Sequence, residues 1–537
     1  MAYIPSPEEA RGYYYGLPSR PRLVARSSAT IWHLPTGAFT YPTPKELIPV
    51  GLHPLNAVWE DTVGPAMVHY LNGRGIQYTS LDPVRFGTAD DPSPPVIIWL
   101  GVIPGSLSAQ DGINVAIDCK AILSANGIED VDVEIRESQV ISSAKLYNPD
   151  VFDHYTAEAR EPFSATLGIP ICGRATPRIQ GTAAFFFTDS TNHPGKLYLL
   201  TARHVLFDPY QDNTLYKYDD PSQPKKEVCL LGDAGFKDCI EVIEHAILDK
   251  QYYVDVLNHQ LQRAGSTASD DKSERPGEHR KSLERKLASD EYVMQEFKVL
   301  LDDVKNNWQN PEDQVIGHVI LSPPITFNAG NKSFTEDWAV IEVDSNKIDK
   351  STFVGNAIHL GEETPQLDLK KWMPTNQLNP PSFEWPLDCL LRFSGTMSDE
   401  EMYHSNPSNT VNPSGDTTIM VLQRGRTSGL TFGRLNTLRS FTRQYCEDEP
   451  AGETSKEVAV FALTGHERVP RPFSKLGDSG SCVVDGKGNV AGMLTGGAGA
   501  PDRLDVAYLT SANFILERLA VHGFEANLFN LGAEARD

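Results

Sequence analysis

Long apolar runs are missing: nothing in the 537 residues approaches the span of about twenty needed to cross a bilayer. The opening stretch MAYIPSPEEARGYYYGLPSRPRL also lacks the apolar core of a secretory signal. These absences predict a soluble, cytoplasmic protein. Positive charge is short as well, with 48 Lys and Arg against 71 Asp and Glu and a net charge of −23. Such a chain repels phosphate backbones and anionic lipid, so neither nucleic acid nor a membrane is an expected partner. Cysteine is scarce: seven, scattered, with no C-x-x-C pair, which argues for reduced thiols and against a structural zinc or a disulfide scaffold. A Gly-rich phosphate loop after the first strand is absent too, because Gly101 and Gly105 alone do not make G-x-G-x-x-G, which argues against a dinucleotide site.

What is present divides the chain. Its length exceeds one ordinary core and predicts roughly two to four folding units. Residues 1–50 are rich in Pro and Tyr without a sustained period and read as an extended arm. Residues 51–165 read as a small α/β domain. A helical segment from Leu55 to Leu71 leads to an alternating strand in GIQYTSLDPVRFG, and VIIWLGV (Val96 to Val102) is a buried strand. A helix follows from Ser108 to Asn126, with Gly127 as its C-cap, and then a strand in DVDVEI, an order that predicts a crossover between parallel strands.

From 166 to 525 the pattern is mostly β, with many short strands punctuated by Gly, Pro, Asn and Asp, as in a barrel or sandwich. One interruption, residues 239–310, carries two helical periodicities and reads as an inserted hairpin. The segment joining them, GSTASDDKSERPGEHRK, has the composition of a mobile linker.

Three short stretches carry candidate chemistry. A serine hydroxyl becomes a nucleophile only when a base takes its proton, and the base must be oriented by a third group. Ser479 lies in KLGDSGSCVVD; His204 follows the apolar strand of LYLLTARHVLF; Asp337 opens the apolar strand of TEDWAVIEVD. Each alone has an ordinary structural reading: a glycine turn, a satisfied core histidine, a strand-start aspartate. Cys482, inside an apolar strand, reads as buried and inert rather than as a nucleophile.

Together the stretches resemble trypsin-like serine peptidases. TARHV is similar to the T-A-x-H signature, DWAVI to D-[I/W]-A-[V/L]-[L/I], and GDSGS to G-D-S-G-[G/S], in the chymotrypsin-like order His, Asp, Ser. Arg424 to Asn436, RGRTSGLTFGRLN, resembles a G-x-T-[S/T]-G-x-T-x-G segment found in intracellular fungal and some bacterial and viral members, and VAYLTSANFILERL resembles the closing strand and C-terminal helix. The resemblance covers roughly Ile171 to Leu519; the N-terminal third is similar only to fungal proteins of the same layout, and its role is not readable.

The resemblance implies a two-barrel chymotrypsin-like fold and a peptidase acting on peptide or protein without metal or organic cofactor. It makes Ser479 the nucleophile, His204 the general base and Asp337 the orienting carboxylate, with an oxyanion hole from the N–H groups of Gly477 and Ser479. It also implies substrate contacts from Thr495, Gly496 and Gly497 in GMLTGG and a specificity-pocket base at Phe473. Two departures stand out. Flanking cysteines of secreted relatives are missing, in keeping with an intracellular chain, and RIQG (Arg178 to Gly181) lies too close before His204 to be an activating cleavage site, which leaves Asp478 without an evident partner. The competing expectation is a silent or autoinhibited peptidase-fold interaction module. A small-molecule enzyme in the N-terminal domain has no cluster of His, Cys or paired carboxylates to support it.

Overall fold

In the computed structural model, residues 3–17, 19–33, 43–88, 91, 93–142, 156–208, 213–220, 222–266, 276–344, 347–348, 353–361, 386, 388–403, 410–411, 417–443, 453–463, 471–500, 503–529 and 531 are described. The N-terminal part contains helices α1 (Pro7–Gly12), α2 (Gly64–Gly73) and α3 (Ala109–Ala125) and strands β1 (Leu23–Arg26), β2 (Lys45–Ile48), β3 (Tyr78–Thr88), β4 (Val96–Val102), β5 (Asp132–Glu137) and β6 (Gln139–Ser142). Helix α3 starts where Ser108 caps the Asp111 N–H and ends before Gly127, whose φ of +78° suits only glycine well. It links β4 to β5, which pair in parallel from Ile97↔Asp132 to Val102↔Glu137.

Where it is described, the segment read as an extended arm over residues 1–50 carries one short helix and two short strands laid on the N-terminal sheet. Ser6 caps α1, β1 pairs with β5, and β2 pairs with β3. Isolated strands of four residues show no readable period in the sequence. Nor is the N-terminal sheet separate: β3 pairs with β23 (Ser440–Arg443) at Leu81↔Phe441 and Ser80↔Thr442, which makes it continuous with a sheet of the C-terminal part. The seam is buried and charged. Arg136 and Asp82 are fully buried 3.0 Å apart, and the Tyr508 hydroxyl donates to Asp82 at 2.8 Å.

Residues 170–343 form an eight-stranded antiparallel sheet. Its strands are β7 (Pro170–Gly173), β8 (Gln180–Thr182), β9 (Phe186–Asp189), β10 (His193–Thr201), β11 (Tyr216–Lys217), β12 (Lys226–Leu230), β13 (Val315–Ser322) and β16 (Ala339–Val343). The pair β14 (Thr326–Ala329) and β15 (Phe334–Glu336) precedes β16. Between β12 and β13, which are neighbours in the sheet, stand two long helices, α4 (Asp233–Ser266) and α5 (Pro276–Trp308). Ion pairs Glu244–Lys305 and Lys250–Asp290, each 2.8 Å, fix them antiparallel over buried Ile243, Val293, Phe297, Leu300 and Val304. The first helix starts at Asp233, ahead of the expected 239. The second takes in the end of the expected linker from Pro276, a residue suited to a helix's first turn; residues 267–275 lie outside the described residues.

The C-terminal part contains β17 (Ala357–His359), β18 (Leu390–Arg392), β19 (Gly395–Thr396), β20 (Thr410–Val411), β21 (Thr417–Gly425), β22 (Gly429–Leu435), β23, β24 (Thr454–Ala462), β25 (Cys482–Asp485), β26 (Asn489–Ala500) and β27 (Arg503–Ser511), followed by helix α6 (Ala512–Val521). Strands β21, β22, β24, β27, β26 and β25 pair antiparallel in that order, and β25 returns to β21, so this ring closes on itself. Closure leaves an edge only where a strand outruns its neighbour, as β26 outruns β25, and Ile419, Val421, Leu435, Val458, Val460, Val483 and Leu509 fill the interior. No described helix is long and apolar enough to cross a membrane, and none of the six described cysteines is in a disulfide.

Candidate active site

Strand pairing brings the first two candidates together. Antiparallel β10 and β16 are in register from Tyr198↔Glu342 to Thr201↔Ala339, so the chain leaving β10 and the chain entering β16 meet at one sheet end. After Thr201 the chain makes one helical turn, Arg203–Leu206. First-turn N–H groups lack partners within a helix, and Asp337 supplies one: its Oδ1 accepts the His204 backbone N–H at 3.1 Å. Its Oδ2 lies 2.5 Å from His204 Nδ1. Both side chains are buried, and among the described residues His204 Nε2 has no hydrogen-bond partner. An imidazole whose Nδ1 is taken by a carboxylate keeps Nε2 for accepting a proton. Arg203 clamps the turn from behind, donating from Nη1 to the Ser322 carbonyl (3.0 Å) and from Nη2 to the Thr214 carbonyl (2.8 Å).

Ser479 is held against the same turn by Thr182 and Thr201. The Thr182 N–H donates to the Ser479 carbonyl (2.8 Å), and the Thr201 hydroxyl donates to the Thr182 carbonyl (2.8 Å). Gly480, at φ +90°, lies so close that a Cβ there would stand 2.4 Å from Thr201 Oγ1 and 3.2 Å from the Ala202 nitrogen. The loop is anchored on its other side by β26: Gly480 N–H donates to Leu494 O (2.8 Å) and Leu494 N–H to Ser481 O (2.9 Å).

Gly477 has φ +96°, a left-handed conformation that costs glycine little. Its carbonyl accepts the Thr182 hydroxyl at 3.0 Å, and among the described residues its N–H meets no backbone acceptor. That leaves the N–H available for a negative oxygen on a ligand.

Asp478, partnerless in the sequence reading, is fully buried with three backbone donors. Oδ1 accepts from Thr427 (2.8 Å) and Ser428 (3.1 Å), and Oδ2 from Lys475 (2.7 Å). Burial pushes its carboxyl above the usual range, while these N–H groups pull it back. Thus the RGRTSGLTFG segment is the cage of the residue before Ser479. Ile179 instead donates its N–H to Thr176 O in a turn next to β8.

Beside Asp337 lies a small cleft of about 20 Å³, room for one water, lined by Ile325, Thr335, Thr442, Glu457, Thr495, Gly496 and Tyr508 but by neither His204 nor Ser479. Thr495 and Gly496 therefore share a cleft with Asp337, whereas Gly497 stands in the β26 ladder opposite Ala507. Phe473 is not brought to this cleft. It is buried in the core with Val460, Leu435 and Val483, and its carbonyl accepts from Gln423 Nε2 (3.0 Å) and Thr431 Oγ1 (2.6 Å). Cys482 is buried, and desolvation pushes its thiol far up, which leaves it unreactive.

Glu457 escaped the sequence reading. Its Oε1 accepts the Thr335 N–H at 2.9 Å, Oε2 has no hydrogen-bond partner among the described residues, and burial raises its carboxyl to about 8. The signal was available in KEVAVFAL, where one acid begins an otherwise apolar strand.

No protein-family model and no curated protein matches the chain. Among solved structures it is similar to a glutamic acid-specific serine protease described as using a histidine triad in substrate binding, at 11% identity, over 66% of this chain and 98% of that one, with a TM-score of 0.28. It is also similar to an inactive form of Rv3671c from M. tuberculosis H37Rv carrying a serine-to-alanine change, at 12% identity, over 71% and 97%, with a TM-score of 0.22.

Proposed function

We propose that the chain is a serine endopeptidase of chymotrypsin-like, two-barrel design, with Ser479, His204 and Asp337 as its triad. The observation that carries this reading is the double hold of Asp337 on His204, which leaves a buried Nε2 unpartnered among the described residues, in the turn that docks the Ser479 loop. In this reading His204 Nε2 takes the Ser479 proton as Oγ attacks a peptide carbonyl. The N–H groups of Gly477 and Ser479 stabilise the oxyanion, and the proton passes to the leaving amine. Water then enters by the reverse sequence and releases the acyl group from Ser479. Asp337 holds the imidazole tautomer throughout, and Thr495 and Gly496 contact the substrate backbone. No metal or organic cofactor enters these steps.

A fluorophosphonate probe tests this directly: labelling should fall on Ser479 and disappear in Ser479→Ala and His204→Ala. A folded chain that does not label would sink the reading. The rival, a peptidase-fold chain that binds peptides without turnover, is favoured by one observation, a strand of the chain's own on β26 beside the cleft.

A further inference from the structure

Three groups of backbone partners lie along one edge of β26. Strand β25 pairs with it through Met493, Gly480 and Ser481 then bond Leu494, and β6 pairs with it from Gly496 to Gly499. The opposite edge is taken by β27 from Gly492 to Ala500. Strand β6 therefore sits in line with the loop that holds Ser479, on the edge of the cleft residue Gly496.

The direction of β6 matters. Its register with β26 runs Gln139↔Gly499, Val140↔Ala498, Ile141↔Gly497, Ser142↔Gly496, so the chain advances toward Leu494 and the Ser479 loop. A peptide in this place would deliver its next peptide bonds to that loop. It would be held by the main-chain ladder of strand addition, a mode that tolerates many side chains.

The N-terminal sheet presents β6 to this edge. Strand β5 ends at Glu137, and Ser138, whose N–H donates to the Val102 carbonyl at 2.8 Å, is the sole residue between β5 and β6. Four residues of ladder are too few to stay paired alone in water, but a short tether to a rigid sheet gives a high effective concentration.

We infer that β6 is a peptide ligand bound in cis, occupying the β26 edge on which an extended substrate would lie, and that the N-terminal sheet serves to hold it there. The inference rests on the reading of this cleft as a peptide site. Residues 1–142 thereby keep the edge closed to peptides until β6 leaves.

The test uses full-length wild type, Val140→Pro and Ile141→Pro. Successive N–H groups of a strand point to opposite sides, so one of the two prolines removes a ladder donor and the other does not. A fluorescein-labelled peptide of residues 137–142, Glu-Ser-Gln-Val-Ile-Ser, is titrated by anisotropy. We expect one variant to bind it at least about tenfold more tightly than wild type. Equal affinity in all three chains overturns the inference. Hydrogen exchange of residues 139–142 in the wild-type chain decides independently of whether the variants fold: slowed exchange supports docking, and coil-like exchange refutes it. Fluorophosphonate, too small to need the β26 edge, reports on Ser479 separately. Labelling with equal peptide affinities removes the cis ligand and leaves the peptidase; no labelling with tighter peptide binding in one variant does the reverse.

Discussion

Both carboxylate oxygens of Asp337 are committed to His204, one to its backbone N–H at 3.1 Å and one to Nδ1 at 2.5 Å. The carboxylate thus fixes the turn as well as the ring. Asp337→Asn keeps an acceptor for only one of these donors and presents an N–H₂ to the other. Rotated to serve the backbone, it faces Nδ1 with a donor and favours the wrong tautomer. We expect the fluorophosphonate labelling rate to fall by about 10³ to 10⁴-fold, with Ser479 otherwise intact. A labelling rate within tenfold of wild type would count against an orienting role.

Asp478 should matter for stability as much as for the site. Asp478→Ala strands the N–H groups of Lys475, Thr427 and Ser428 around a fully buried position. An unsatisfied buried donor costs about 1 to 3 kcal/mol, so the loss should be several kcal/mol, with Asp478→Asn in between. Urea unfolding gives the stability and probe labelling the site. Because the cage is built from backbone already present, removing residues up to Ile179 should not speed labelling; a gain would show that a new amino terminus competes for Asp478.

The two glycines flanking the nucleophile should respond differently. At Gly480 an added Cβ would stand 2.1 Å from the Thr182 carbonyl oxygen, a backbone atom fixed by the Thr201 hydroxyl. At Gly477 the obstacle is Thr427 Oγ1 at 2.4 Å, a side-chain atom. Gly480→Ala should therefore lower the melting temperature more than Gly477→Ala. Thr427→Ala should restore part of the Gly477→Ala loss by removing the clash, leaving the left-handed strain of about 1 to 2 kcal/mol. Equal melting losses with no rescue would mean that strain, not contact, governs both positions.

The candidate residues were legible because their signatures are local. TARHV and DWAVI each follow or open an apolar strand, and the glycines of GDSGS announce the left-handed turn that the backbone adopts at Gly477 and Gly480. What joins distant segments was not legible. The pairing of Leu81 with Phe441, the caging of Asp478 by Thr427 and Ser428, and the seating of β6 on β26 depend on which edges folding leaves open. The neighbours of Phe473 are a further case, since Val460, Leu435 and Val483 come from three different strands.

Glu457 makes the cleft's pH response predictable. Its carboxyl, raised by burial and to a lesser extent by the charge of Asp337, and opposed by the Thr335 bonds and Arg439, titrates near 8 in the folded chain against 4.5 as its ordinary value. Between those values the folded state holds a proton that the unfolded state has released. Its stabilising share is full below about pH 4.5 and is lost as pH rises to about 8, a span worth a few kcal/mol. Glu457→Gln keeps the acceptor for the Thr335 N–H and has no proton to lose. Asp505, raised by burial to about 6, contributes its own slope at lower pH, so the window from about 6 to 8 isolates Glu457. Urea titrations should show wild type losing stability relative to Glu457→Gln across that window and the difference levelling off above it. Parallel curves would mean that Glu457 ionises normally and that the cleft is wetter than its burial implies.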